Sequence, residues 1–342
     1  METRRTFLIR GAATFAGLAC GLWPGFAQSE GSIRCRGLTH LTPAYGPMYA
    51  ATRGFVDILK QQVGNTAQVE FFDSGTLMPV DGMLDGLRER SLQFIFHATP
   101  YLGSELPALA GLDLPGVCQA LYANPDRLAM RSPLWNHLNA ALAEKNLLLV
   151  ATGGMFEPEY LWSTRHIESI SDLRGLRCRT IGPETDEIAG ALEMEPVRLS
   201  SEKLYLGVQR GAVDVVMGNI STVAARNLPE LLKHCFRLPV SGFSVVVLVC
   251  RDVWSSWPER LQQAFHAAGE WYDANQARYV NKAAYPQEYW PLLHKAGVAT
   301  VEPSAADMAD LDRRSEKVWA WWRSLVGEDW GHTFLDLALG RA

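Results

Sequence analysis

The sequence predicts an α/β protein of two lobes, with a long helix spanning both. Three observations carry that expectation. Strand and helix signals alternate over residues 32–96, which is the signature of a mostly parallel sheet with helices packed on it. The alternation restarts near residue 146 with no close repeat of the first stretch. One apolar helical face then persists over 256–284, about 40 Å at ~1.5 Å per residue, longer than one small lobe.

Each element has its own reason. Residues 32–39 form a strand, and 46–63 a helix whose Met48, Thr52, Phe55, Leu59 and Val63 recur at three- and four-residue steps. Gly64 stops that helix. A strand follows at 68–72, then a short helix at 81–90 carrying Met83, Leu84 and Leu87. Leu92, Phe94 and Phe96 alternate as a third strand. In the second stretch, 146–152 and 159–163 are apolar strands, and Asp172-Leu173-Arg174-Gly175 turns into a strand over 176–180. Helices are expected at 184–192 and 201–210, with Gly211 leading into a strand over 213–217. Another strand is expected over 244–250. Ser256-Trp257-Pro258-Glu259 reads as a capping box with proline in the first turn. Leu261, Phe265, Ala268, Tyr272 and Tyr279 then mark one face until Pro286 interrupts. A last helix over 309–325 carries Trp319, Trp321 and Trp322. The expected division is lobe I from 28–156 with 245–284, and lobe II from 157–244 with 285–342.

Composition excludes several functions. The chain has 342 residues, 48% hydrophobic and 20% charged, with a formal net charge of −5. It lacks the basic footprint of a nucleic-acid binder, so no nucleic-acid partner is expected. Past the N-terminus no apolar run approaches the ~20 residues of a membrane span. Residues 1–27 read as an export signal: the twin-arginine run Thr3-Arg4-Arg5-Thr6-Phe7-Leu8, an apolar stretch over 11–23, and Gly25-Phe26-Ala27 for cleavage after Ala27. Cys20, in Gly-Leu-Ala-Cys, lacks the upstream leucine of a lipoprotein anchor. Cys35, Cys118, Cys178, Cys235 and Cys250 remain, an odd count without C-x-x-C, which favours buried free thiols. The alternative is that Cys235 and Cys250 lie on neighbouring strands. The eight histidines show no H-x-H or H-E-x-x-H spacing, and no nucleophile elbow or phosphate-binding glycine loop occurs. No metal, cofactor or catalysis is expected; the rival is an exported enzyme whose motif goes unrecognised.

Two segments carry a resemblance. From Ser171 the chain reads Ser-Asp-Leu-Arg-Gly-Leu-Arg-Cys-Arg-Thr, and from Tyr205 it reads Tyr-Leu-Gly-Val-Gln-Arg-Gly-Ala-Val-Asp. With Phe72-Asp73-Ser74-Gly75-Thr76-Leu77 and the segment 87–94, these resemble the DctP-type solute-binding proteins of tripartite ATP-independent periplasmic (TRAP) transporters. The resemblance spans essentially the whole mature chain. It implies a periplasmic-binding-protein-like (type II) fold, a periplasmic monomer, and capture of a small organic acid between the lobes. Delivery to the membrane permease subunits would follow, or, in a sensory receptor, docking on a signalling partner.

The resemblance also assigns residues. Arg179, closing the G-L-R-C-R strand, takes the place of the arginine that pairs with the ligand carboxylate, a role its planar fork suits. The position of a second arginine falls at Glu159, with Glu157 one strand-step away. Either these carboxylates accept hydrogen bonds or an ammonium from the ligand, or they are solvated charges at a strand end. A dicarboxylate is disfavoured, and a monocarboxylate with polar or aromatic substituents fits better. Val215 replaces the family's glycine, and Met217-Gly218-Asn219 its E-N-P, leaving Asn219 to offer an amide. Tyr45, His97 and Tyr101 stand where first-lobe residues line the cleft, and Phe243 as an apolar wall. Trp162 is either wall or core.

Overall fold

A computed structural model describes residues 33–341. The export signal, its cleavage after Ala27, and Cys20 lie outside the described residues. The first alternation runs Ile33–Thr39 (β1), Pro47–Val63 (α1), Ala67–Phe72 (β2), Met83–Arg88 (α2) and Phe94–Ala98 (β3). Three helices, Pro107–Ala110 (α3), Val117–Ala123 (α4) and Pro133–Ala143 (α5), lead to Leu147–Ala151 (β4). The second alternation is Glu159–Ser163 (β5), Arg177–Thr180 (β6), Pro183–Ala191 (α6), Glu195–Arg198 (β7), Leu204–Gln209 (α7), Val215–Gly218 (β8), Ile220–Ala225 (α8) and His234–Ser241 (β9). The chain ends with Val245–Cys250 (β10), Arg251–Ser256 (α9), Glu259–Tyr279 (α10), Trp290–Lys295 (α11), Ala299–Val301 (β11), Ala305–Val326 (α12) and Glu328–Leu339 (α13).

These strands make two sheets, ordered β2-β1-β3-β10-β4 and β11-β9-β5-β8-β6-β7. The odd member is β10, which enters the first sheet antiparallel between β3 and β4. Its Val-Val-Val-Leu-Val-Cys run is buried throughout. A strand covered on both faces needs such a continuous apolar run. Phe55 of α1 meets Phe96 edge-on at 5.2 Å and Tyr272 of α10 at 6.0 Å, which ties the first sheet to the long helix.

The long helix corrects two expectations. Pro286 does not end it: α10 widens into a π-wound stretch, Val280–Tyr289, and continues as α11. Proline lacks an N–H and clashes with the carbonyl four residues back; π winding, with bonds to the fifth residue back, turns that carbonyl from the ring and lets a later N–H reach it. Nor does Ser256 cap it. Ser256 ends α9 and donates to the Val253 carbonyl at 2.6 Å, and the residue before α10 is Pro258, with no side-chain cap. The rod spans both lobes: α10 lies on α1 and β4, while Trp290 stacks on Trp162 at 5.7 Å. Trp162 is a core residue, fully buried and donating its indole N–H to the Gly218 carbonyl at 2.8 Å.

Other expectations need adjusting. Residues 285–342 do not all belong with the second lobe, because α13 packs on α4 and α5, and α12 touches both α6 and α3. Two tryptophans of α12, which a further helix follows, explain that placement in part: Trp319 donates to the Pro115 carbonyl and Trp322 to the Pro107 carbonyl, both in the first lobe. Cys235 and Cys250 sit on β9 and β10, in different sheets, and the five cysteines among the described residues are buried and free. Burial pushes the Cys35 thiol up to about 12. No helix among the described residues is long and apolar enough to cross a membrane.

The chain changes sheet through two short crossovers, 152–158 and 242–244, which run side by side, and a third time through the long helix on the way to β11. Phe156 donates its N–H to the Phe243 carbonyl at 3.1 Å, and Ser244 donates its hydroxyl to the Gly154 carbonyl at 2.9 Å. From the rod, Asp273 accepts the N–H groups of Thr152 and Gly153, each at 2.8 Å. Asn281 accepts from the Glu157 N–H at 2.9 Å and donates to the Met155 carbonyl at 2.9 Å. Gly153 has φ +71°, and a Cβ there would lie 2.8 Å from both the Val245 carbonyl oxygen and the Tyr272 ring. Gly153→Ala is therefore expected to cost about 2 kcal/mol, from the left-handed backbone and the overpacking together. An unchanged urea midpoint would show that the crossover relaxes around the methyl group.

Candidate functional site

Arg179 sits where three parallel strands end. It is the penultimate residue of β6, which pairs with β7 on one side and β8 on the other. Its Nε donates to the Leu199 carbonyl just past β7 at 2.9 Å, and its Nη1 to the Met217 carbonyl in β8 at 3.0 Å. The side chain is 1% exposed, yet Nη2 has no partner. Carboxyl ends of parallel strands are where open α/β sheets place ligands.

Asn219 follows β8 and caps α8: its Oδ1 accepts from the Thr222 N–H at 2.8 Å, and its Nδ2 is unpartnered and buried. Tyr160 pairs with Gly218 across β5 and β8, so Glu159 lies opposite Asn219. Glu159 is fully buried, and neither of its carboxylate oxygens has a partner. Burial raises its carboxyl to about 7, while the Arg179 charge and then the nearby N–H groups of Asn219 pull against that rise.

The first lobe closes over this group. The Tyr101 hydroxyl accepts the Ser201 N–H across the cleft at 3.1 Å. Arg226 lies over the Tyr45 ring at 5.7 Å and donates to the Ser201 hydroxyl at 3.0 Å. The His40 ring is 5.7 Å from Tyr101 and 5.8 Å from His97. Burial, then His97, then Arg226 push His40 down to about 3, so it presents a neutral imidazole.

Two further buried acids join the cluster. Asp113 accepts from the Thr99 hydroxyl at 2.8 Å, and its own carbonyl takes the Gly242 N–H at 3.0 Å. Glu184, the second residue of α6, rests its carboxylate against Gly182 and, across the cleft, Gly103, so that a Cβ at either would strike it. Both acids are fully buried, with Asp113 Oδ2 and both Glu184 oxygens unpartnered. Burial raises both carboxyls, Glu184 to about 8, and Glu159 adds to each rise.

The structure brings Arg179, Glu159, Asn219, Tyr45 and Tyr101 to one interlobe cleft. It uses the other candidates differently. His97 turns Nδ1 to the Ala98 carbonyl at 3.1 Å and Nε2 to the Val80 carbonyl at 3.2 Å; burial favours the neutral ring, which can donate to only one of them, and both nitrogens face first-lobe backbone. The Phe243 ring pairs with Phe156 between the crossovers at 5.9 Å. The solvated reading of the two glutamates fails: Glu159 is buried, and Glu157 is in an ion pair with Arg237 at 3.1 Å and accepts from Tyr160 at 2.8 Å. Sequence reasoning missed His40, Asp113, Glu184, Ser201 and Arg226. Of these only His40, directly after β1, had a positional cue.

A cleft between two α/β lobes, spanned by one helix and enclosing a fixed guanidinium, defines the class of two-lobed solute receptors. Residues 38–324 match the bacterial extracellular solute-binding proteins, family 7, the DctP family, and the chain belongs to it. The chain is 22% identical over 218 residues to a solute-binding protein of Albidiferax ferrireducens, a match covering 62% of this chain and 57% of that relative. The match thus spans less than two thirds of that relative's length. Among solved structures, an extracytoplasmic solute receptor of Bordetella pertussis that binds pyroglutamic acid superposes with a TM-score of 0.78 at 16% identity, covering 90% of this chain and 99% of that one. A TRAP solute-binding protein of Desulfovibrio salexigens with bound orotic acid gives 0.79 at 19% identity, covering 90% and 97%. One from Chromohalobacter salexigens with bound D-glucuronate gives 0.78 at 17% identity, covering 89% and 99%. The family and these structures are solute-binding receptors, not enzymes.

Proposed function

We propose that this chain is a periplasmic receptor that captures a small organic acid in the interlobe cleft and delivers it to TRAP permease subunits in the membrane. The observation that carries the reading is the Arg179 guanidinium: buried, held by two backbone carbonyls, and with Nη2 unspent, as is Nδ2 of Asn219 at the end of neighbouring β8. Such donors, fixed in advance and shielded from water, recognise a carboxylate. Pyroglutamate, orotate and glucuronate, bound by three structural neighbours, each combine a carboxylate with N–H or O–H donors. In this chain Arg179 and Asn219 take the carboxylate, and Glu159 faces the donors. Tyr45, Tyr101 and the ring of His97 furnish the wall, with Phe243 behind it at the crossover. The mature receptor begins after Ala27 and acts as a monomer.

Solute binding favours the closed arrangement to the extent that the ligand prefers it to the open one. The test is a thermal-shift screen of residues 28–342 against small carboxylic, sugar and amino acids. A solute at a thousand times its dissociation constant stabilises by about 4 kcal/mol, several degrees in melting temperature. Turnover of a bound acid, or no shift with any acid and no small molecule released on denaturation, would overturn the reading.

A further inference from the structure

We propose that the solute carries a nitrogen donor beside its carboxylate, as a zwitterionic amino or imino acid does, and that Glu159 selects for it. This rests on the reading of the cleft as a carboxylate site and deepens it to a ligand class.

The two sides of the cleft offer opposite chemistry. On one side are donors. A guanidinium has five N–H groups, and Arg179 spends one on the Leu199 carbonyl and one on the Met217 carbonyl. The rest, including both on Nη2, remain for a solute, as does the Asn219 amide. On the other side are the two unpartnered oxygens of Glu159; Asp113 and Glu184 lie in the same buried cluster, where burial favours their neutral form. Asp113 reaches Glu159 through the crossover, since its carbonyl accepts from the Ser241 hydroxyl at 3.1 Å and Ser241 pairs with Glu159. The three acids are not arranged to hold a metal ion.

Glu159 and Arg179 do not bond each other, so a solute lying between them must present oxygens to one and donors to the other. A hydroxyl supplies a single donor and no charge. An ammonium supplies two or three donors and neutralises the carboxylate, whose unpaired burial is costly.

The test is calorimetry on the mature protein at pH 7.5 with solute pairs that share a skeleton: alanine and lactate, phenylalanine and phenyllactate, proline and tetrahydrofuran-2-carboxylate. In the tightest pair, the nitrogen-bearing member is expected to bind at least tenfold more tightly. Glu159→Gln is expected to shrink that ratio below threefold. An equal or tighter oxygen analogue in the wild type, or a ratio unchanged in the variant, overturns this inference and leaves the carboxylate site standing. Binding of neither member of any pair overturns both. Should the variant not fold, the wild-type ratio decides alone.

Discussion

Arg179→Met lowers the affinity for carboxylate solutes at least a hundredfold, equivalent to about 2.7 kcal/mol, in a calorimetric titration. The size follows from the setting. Two backbone carbonyls already immobilise the guanidinium, so little rotamer entropy is lost when a solute binds, and burial removes the competition of water. Losing one partner of a buried charged hydrogen bond costs 2–5 kcal/mol as a rule. Arg179→Lys separates charge from shape: the ammonium keeps the positive charge but not the planar fork, and a loss of at least tenfold is expected. Affinity within threefold of wild type for a folded Arg179→Met would remove Arg179 from the site.

Arg179 and Glu159 are legible in the sequence because each stands on a strand that a motif locates. The Leu-Arg-Gly turn places β6, and spacing from it places β5. The alternating elements are legible for the same local reason, since periodicity and glycine stops are written in neighbouring residues. Asp113, Glu184 and Arg226 are not legible. They come from segments far apart in the chain, and only closure of the lobes and burial make them a cluster. Pro286 misleads because a helix break is its usual effect, and only the surrounding packing selects the π winding that tolerates it. His97 occupies an expected position, but its polar atoms answer to the carbonyls beside it.

Glu184→Gln raises the melting temperature at pH 9 and leaves it nearly unchanged below pH 4.5. Burial, with Asp186 and Glu159, holds the Glu184 carboxyl at about 8, above its ordinary 4.5. The folded state therefore binds this proton more tightly than the unfolded chain does. Its stabilisation is complete below about pH 4.5, declines as pH rises, and is gone above about pH 8. Glutamine stays neutral throughout, so the variant loses that decline. The gain at pH 9 is at most about 5 kcal/mol, roughly 7 °C for a chain of this size. Parallel wild-type and variant melting curves across pH 4–9 would show that Glu184 is solvated in solution. Because Glu184 rests against Gly103 of the first lobe, opening the cleft hydrates it too, and its ionisation favours the open form.

The placement of β10 has a consequence for synthesis. It separates β3 from β4 in the first sheet, yet it is made only after the whole of β5 to β9. A nascent chain that stops short of Val245 leaves two apolar strands with open edges, available to any other chain nearby. Contacts so distant in sequence form slowly, since the loop between them must be closed first. The first sheet, though begun first, stays incomplete until β5 to β9 have been made, and no fragment ending before Val245 can close it.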